Sequence, residues 1–128
     1  MDELLIKELV KNYQKAIHTQ SKDDFYSLWS KDEENTLISI TNKFIGLDTI
    51  YQDFLINGIQ RNYLTIDLIA EKIDIHFVTK EIAIVVFQYH TECIRREDQS
   101  PYGIQGLETQ VVIKKENEWK LTHIHYSK

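Results

Sequence analysis

The chain divides near residue 62 into a half with helical spacing of apolar positions and a half in which apolar and polar residues alternate. Leu5, Leu9, Tyr13, Ala16 and Ile17 recur on one helical face, and Asp2 and Glu3 sit where a helix dipole favours negative charge, which predicts a first helix over about residues 2–19. Ser21 and Asp24 form a pattern like a capping box. It starts a short second helix that turns Phe25, Leu28 and Trp29 inward and ends in the polar run 31–35. A brief β-rich run, Thr36 to Ile40, leads to a turn at Thr41-Asn42-Lys43. Gly46-Leu47-Asp48 then opens a third helix carrying Ile50, Tyr51, Phe54 and Leu55, expected to fray near Asn57-Gly58.

From Tyr63 the pattern predicts strands at 63–77, 81–95, 104–115 and 118–127, the first of them long enough to bend near Ala70-Glu71. The turns between them fall at Thr79-Lys80, Glu97 to Gly103 and Glu116-Asn117. Three helices followed by a mostly antiparallel sheet is an α+β domain, and the absence of repeats or Gly/Ser/Pro-rich linkers argues for one unit over residues 1–128. Ile82 to Phe87 is an unbroken apolar run, so neither face of that strand suits water. One face covers the helices. The other is expected to meet a second copy in a face-to-face homodimer, a purely internal burial being the alternative.

Strict alternation through Trp119-Lys120-Leu121-Thr122-His123-Ile124-His125-Tyr126-Ser127 sends Trp119, Leu121, His123, His125 and Ser127 to one face. With Glu116-Asn117 as a two-residue hairpin turn, Lys115 pairs with Glu118, and the same register sets His125 opposite Glu108 and His123 opposite Gln110. A carboxylate beside an imidazole stabilises the imidazolium and fixes the ring tautomer, which makes His123, His125 and Glu108 candidate catalytic residues for proton transfer. A loop one residue longer would replace Glu108 by a neighbour. The imidazoles could equally hydrogen-bond to Tyr, Gln or water in a half-wet cavity. They could also ligate a metal with His90, Glu92 or His76 as a third donor, but no metal set is assigned. His90 and Glu92 share one face of their strand and are second-rank ligand-binding candidates.

The formal charge of −5 is spread through both halves, and Lys72, Lys80, Arg95, Arg96, Lys114 and Lys115 lie close to acids, so the basic stripe of a nucleic-acid binder is absent. The run Arg95 to Asp98 reads as a solvated loop at a strand end, or as a lid. No segment is long and apolar enough for a membrane span, residues 1–10 lack the apolar stretch of a signal peptide, and Cys93 is the single cysteine. These features point to a reducing compartment, the cytoplasm, and to Cys93 as a buried, inert thiol. Phosphate loops, serine nucleophile elbows and paired-cysteine metal sites are missing, and no cofactor is expected.

Several segments resemble the SnoaL-like branch of the nuclear transport factor 2-like superfamily. Phe25-Tyr26-Ser27-Leu28-Trp29-Ser30 before an acidic loop resembles its second helix and first strand. Gly46-Leu47-Asp48-Thr49-Ile50 resembles the start of its third helix, Glu81-Ile82-Ala83 its turn into the central strand, and Trp119 through His123, His125 and Ser127 its ending. The resemblance implies a cone, in which a strongly bent sheet wraps the helices around an apolar cavity open at one end. Tyr13, Trp29, Tyr51 and Phe54 would then line that cavity, core packing being the other role for Trp29 and Phe54. Ketosteroid-isomerase-like members carry a carboxylate base on the first strand, but Leu37-Ile38-Ser39-Ile40-Thr41 contains no acid. Tyr13 could supply the phenol of such a site. Three functions follow as expectations: binding of a small hydrophobic molecule, cofactor-independent isomerase, dehydratase or hydrolase chemistry with a His base, and association without catalysis.

Overall fold

A computed structural model describes residues 1–31 and 34–128. Helix α1 (Asp2–Thr19) buries Ile6, Leu9, Val10, Tyr13, Ala16 and Ile17, the stripe that its spacing predicts, and closes on Gln20 in the left-handed conformation. Ser21 caps α2 (Lys22–Ser27) by accepting from the Asp24 N–H at 3.3 Å, and Phe25, Leu28 and Trp29 point into the core as expected. Part of the polar run expected to end this helix, residues 32 and 33, lies outside the described residues.

Strand β1 (Thr36–Ile38) turns through Ser39–Asn42 into β2 (Lys43–Ile45), a strand too short for alternation to reveal, so Lys43 belongs to a strand rather than to the expected turn. Helix α3 begins as a single turn (Leu47–Thr49) and widens into a π-type helix (Ile50–Gln60). It does not fray at Asn57-Gly58, because the Asn62 side chain donates to the Asn57 and Gly58 carbonyls and holds the last turn.

Strands β3 (Tyr63–Thr79), β4 (Ile82–Arg95), β5 (Pro101–Tyr102), β6 (Gln105–Lys115) and β7 (Glu118–Tyr126) complete one mixed sheet in the order β2-β1-β7-β6-β4-β3, with β5 on the edge of β4. Among the described strands only β1 and β7 pair in parallel, and Trp29 adds an isolated parallel bridge to Leu121. β3 bends where the pattern suggested: its register to β4 shifts between Glu71 and Asp74, and Lys72 takes a φ of 52°. Such irregularities curl the sheet around α1 and α3.

The hairpin turn behaves as read from the sequence. Glu116 and Asn117 both have positive φ (51° and 65°) and Lys115 pairs with Glu118. That register continues to Val112 opposite Leu121 and then slips, so that His123 faces Val111, Ile124 faces Gln110, His125 faces Thr109 and Tyr126 faces Glu108. The extra residue at Thr122 is a β-bulge, and it reverses which side chains point inward. Trp119 and Leu121 are buried before it; Ile124 is buried after it, and His125 is exposed. The expected pairs His125–Glu108 and His123–Gln110 are therefore not formed.

Candidate functional site

The sheet encloses a pocket of about 190 Å³ between α1, α3 and the strands, lined by Tyr13, Phe54, Ile59, Tyr63, Tyr89, Cys93, Tyr102, Glu108 and Tyr126 among others. A larger open depression, about 850 Å³, lies at the opposite end of the strands among Met1, Phe77, Lys80 and Lys114, and is a solvent-facing surface groove. The enclosed pocket is the better ligand site because it is built from apolar walls with a few converging polar groups.

Glu108 is the central polar group. It is 3% exposed, and its Oε2 accepts from Gln110 Nε2 at 2.7 Å. Burial in apolar surroundings pushes its carboxyl up to about 8, the Gln110 hydrogen bond pulling the other way. At neutral pH it is mostly a neutral acid, able to donate a proton as well as accept a hydrogen bond. Tyr13, on the buried face of α1, feels the same surroundings: burial and then the Glu108 charge raise its hydroxyl well above the ordinary tyrosine value. Tyr89 donates to the Ser127 carbonyl at 2.6 Å and is pushed up to about 12 by burial and then by Glu108. Tyr126 is raised by burial and then by Tyr89 and Glu108; its ring meets Tyr89 edge-on at 6.0 Å. Thr91 is occupied, its hydroxyl accepting from the Ile104 N–H at 3.0 Å.

The sequence-derived candidates separate into three groups. Tyr13, Phe54 and Glu108 line the pocket. Trp29 is buried in the core beside Phe25, and Tyr51 packs on Phe25 and Tyr26 outside the pocket. His90, Glu92, His123 and His125 lie on the outer face, which corrects the expectation that the two C-terminal imidazoles wall the cavity; the Thr122 bulge is the cause. His123 Nδ1 forms a 2.6 Å hydrogen bond with Thr36 Oγ1, and burial followed by the His125 charge lowers its pKa. His90 Nε2 lies 3.1 Å from Glu92 and its Nδ1 3.5 Å from Glu71. Among the described residues no group of three His, Cys, Asp or Glu side chains is placed to hold a metal ion.

Tyr63, Tyr89, Cys93, Tyr102 and Tyr126 also line the pocket, and no sequence pattern marks them as liners. Tyr89 and Cys93 share parity with Ala83, Val85 and Phe87, but in an unbroken apolar run both faces read alike, and only packing against the helices makes this the inward set. Tyr126 was hidden by the bulge and Tyr102 by the brevity of β5.

A model of the SnoaL-like domain matches residues 6–128. The chain belongs to the SnoaL-like family. Its fold is that of the nuclear transport factor 2-like superfamily, three helices against a strongly curled, mixed half-barrel sheet. A superfamily protein from Salmonella enterica serovar Typhimurium superposes with a TM-score of 0.89 at 23% identity, covering 95% of this chain and 87% of its own. The hexachlorocyclohexane dehydrochlorinase LinA-type3 from Novosphingobium barchaimii gives 0.85 at 11% identity over 98% and 84% of the two chains. A protein of unknown function from Shewanella oneidensis gives 0.75 at 21% identity over the whole of both. At these identities the likeness is one of fold. No curated protein matches the sequence. In this SnoaL-like domain no helix is long and apolar enough to cross a membrane among the described residues.

Proposed function

We propose that this SnoaL-like domain binds a small, mostly apolar molecule carrying an oxygen acceptor, with its apolar body among the tyrosines and its oxygen at Glu108. The buried Glu108 carboxyl carries the reading. An acid placed in an apolar pocket at a cost in stability is better explained by a ligand it serves than by packing. The pocket volume of about 190 Å³ exceeds the roughly 150 Å³ known to hold benzene, which suits one ring with a short chain. Protonated Glu108 and the Tyr13 hydroxyl can both donate to a carbonyl or hydroxyl oxygen, and if the domain is an enzyme, Glu108 rather than a histidine moves the proton. That one structural neighbour is a dehydrochlorinase is compatible with such chemistry.

The test is calorimetric titration of single-ring ketones and phenols from pH 6 to pH 9. Tyr13→Phe should weaken the best ligand about fivefold. Affinity should fall above pH 8 in the native chain and lose that dependence in Glu108→Gln. Ligands that bind both variants and the native chain alike would defeat the reading.

Self-association is a second reading, favoured by the outer face of β4. Ile82 and Ile84 are exposed there and pair with Ile113 and Val111, which makes one apolar stripe across two strands. A two-fold contact would cover the stripe in both copies at once. Light scattering of the native chain and of Ile84→Lys decides it: a native monomer, or a variant dimer as tight as the native one, removes it.

A further inference from the structure

The chain has only three arginines, Arg61, Arg95 and Arg96, and the fold brings all three to the open end of the pocket. They border a shallow depression of about 440 Å³ together with Asn62, Tyr63, Glu97 and Tyr102. Tyr63 and Tyr102 line the inner pocket as well, so the depression and the pocket adjoin at these two rings. The two rings stack, 6.0 Å between centroids and 13° between planes.

The arginines are not equivalent. Arg96 is structural: its Nε and Nη2 donate to the Gln60 carbonyl at 3.1 and 2.9 Å, and Nη2 also reaches the Tyr63 carbonyl at 3.0 Å, closing the end of α3. Arg95 lies two residues beyond Cys93 on the inward parity of β4. Its guanidinium sits over the Tyr102 ring, 4.2 Å from the centroid, and its Nε is buried without a hydrogen-bond partner. A desolvated donor with nothing to bond is costly, and an arginine flattened on an aromatic ring keeps its outer edge free for a planar anion. Arg61, at the same rim, is exposed. Two acids lie nearby. Glu97 borders the depression, and Asp98, which feels the Arg95 charge, is held by the Ser100 N–H and hydroxyl at 3.0 and 2.6 Å. Neither forms an ion pair with any of the three arginines among the described residues. In a chain of net charge −5, the mouth of the pocket thus carries a local positive excess.

We propose that this rim is a carboxylate subsite and that the ligand class of the pocket is an elongated amphipathic monocarboxylate. The carboxylate lies on Arg95, with Arg61 as the second cation, and the apolar body runs along the edge of the Tyr63–Tyr102 stack toward the cavity. A carboxylate fits the planar guanidinium edge better than a tetrahedral or uncharged group does, because two parallel N–H donors can meet its two oxygens. Length follows from the strand. Glu108 pairs with Phe87, eight residues from Arg95 on β4, so roughly 26 Å of backbone separates the two polar ends before the side chains shorten the gap. The separation favours a ring carried on a chain over a bare benzoate.

This proposal rests on the inner pocket being a ligand site, and the experiment separates the two. Titration calorimetry compares 5-phenylpentanoate with 5-phenylpentanamide, which has the same body without the charge. The native chain should bind the carboxylate at least about tenfold more tightly. Arg95→Gln should bring the carboxylate down to the amide's affinity and leave the amide unchanged, which also shows that the variant is folded. Arg95→Lys should restore part of the difference, and Arg61→Gln should cost less than Arg95→Gln. Equal binding of acid and amide by the native chain, or an equal loss of both in Arg95→Gln, overturns the carboxylate subsite while the pocket stands. Binding of neither compound by the native chain overturns the pocket and the subsite together.

Discussion

Glu108 stands opposite Tyr126 across β6 and β7, one residue out of the register that the Lys115–Glu118 turn begins. This pairing puts a carboxyl among three tyrosines instead of beside an imidazole, and it changes the chemistry the pocket can support. Next to a histidine Glu108 would be an anion holding a cation; among Tyr13, Tyr89 and Tyr126 it is an acid that keeps its proton to about pH 8.

Glu108 makes the domain less stable as pH rises. Folded, it releases its proton near 8; unfolded, near its ordinary 4.5. Below 4.5 both states are protonated and nothing is lost. Between 4.5 and 8 the unfolded chain has released a proton that the folded chain retains, so the unfolding free energy falls by about 5 kcal/mol across that window and levels off above it. Urea denaturation at pH 5, 6.5 and 8 should show this slope in the native chain and not in Glu108→Gln. Parallel slopes would mean that Glu108 titrates normally.

The bulge at Thr122 makes neighbouring residues of β7 very unequal. Ile124 is 0% exposed, whereas His125 points to solvent on the outer face. Ile124→Ala should cost about 2–5 kcal/mol, and His125→Ala should stay within about 0.5 kcal/mol. Unbroken alternation requires the reverse order, so thermal melts of the two variants settle which register β7 uses.

Cys93 reports on the pocket directly. Its side chain lines the cavity, and burial raises its thiol pKa, with Thr91 acting in the opposite direction. Iodoacetamide should modify it at least about tenfold more slowly than a free thiol at pH 8, and a bound ligand should slow it further. A rate insensitive to every ligand that calorimetry identifies would place those ligands elsewhere.

The start of α1 is tied to the sheet through one carboxylate. Asp2 Oδ1 accepts from Lys114 Nζ at 3.1 Å and Trp119 Nε1 at 3.2 Å, and the Lys114 bond in particular holds its carboxyl below the usual range. The tie is present at neutral pH and is lost as pH falls through that lowered value. Asp2→Asn should speed hydrogen exchange in the first turn of α1 without changing it in β6; unchanged exchange in both would show that the tie holds nothing in solution.

Local order in the chain determined most of the architecture. The stripe from Leu9 to Ile17 fixes α1, because a helix must bury the face its spacing makes apolar. The Ser21 cap and the Glu116-Asn117 turn likewise act within a few residues, where short-range geometry decides. The order of helices and strands pointed to the α+β class and a few short motifs to the SnoaL-like resemblance; of the candidate residues, Tyr13, Phe54 and Glu108 line the pocket, Glu108 having been singled out through a pairing with His125 that the bulge prevents. What β7 faces was decided elsewhere. One inserted residue reverses alternation at no visible cost in composition, and only pairing with β6 on one side and β1 on the other shows where it falls. The arginine rim is of the same kind: Arg61 and Arg95 are far apart in sequence and meet because β3 pairs with β4 beside the end of α3. Sequence alone could set the faces of each element up to its first irregularity; beyond that, the packing of one strand on another assigned them.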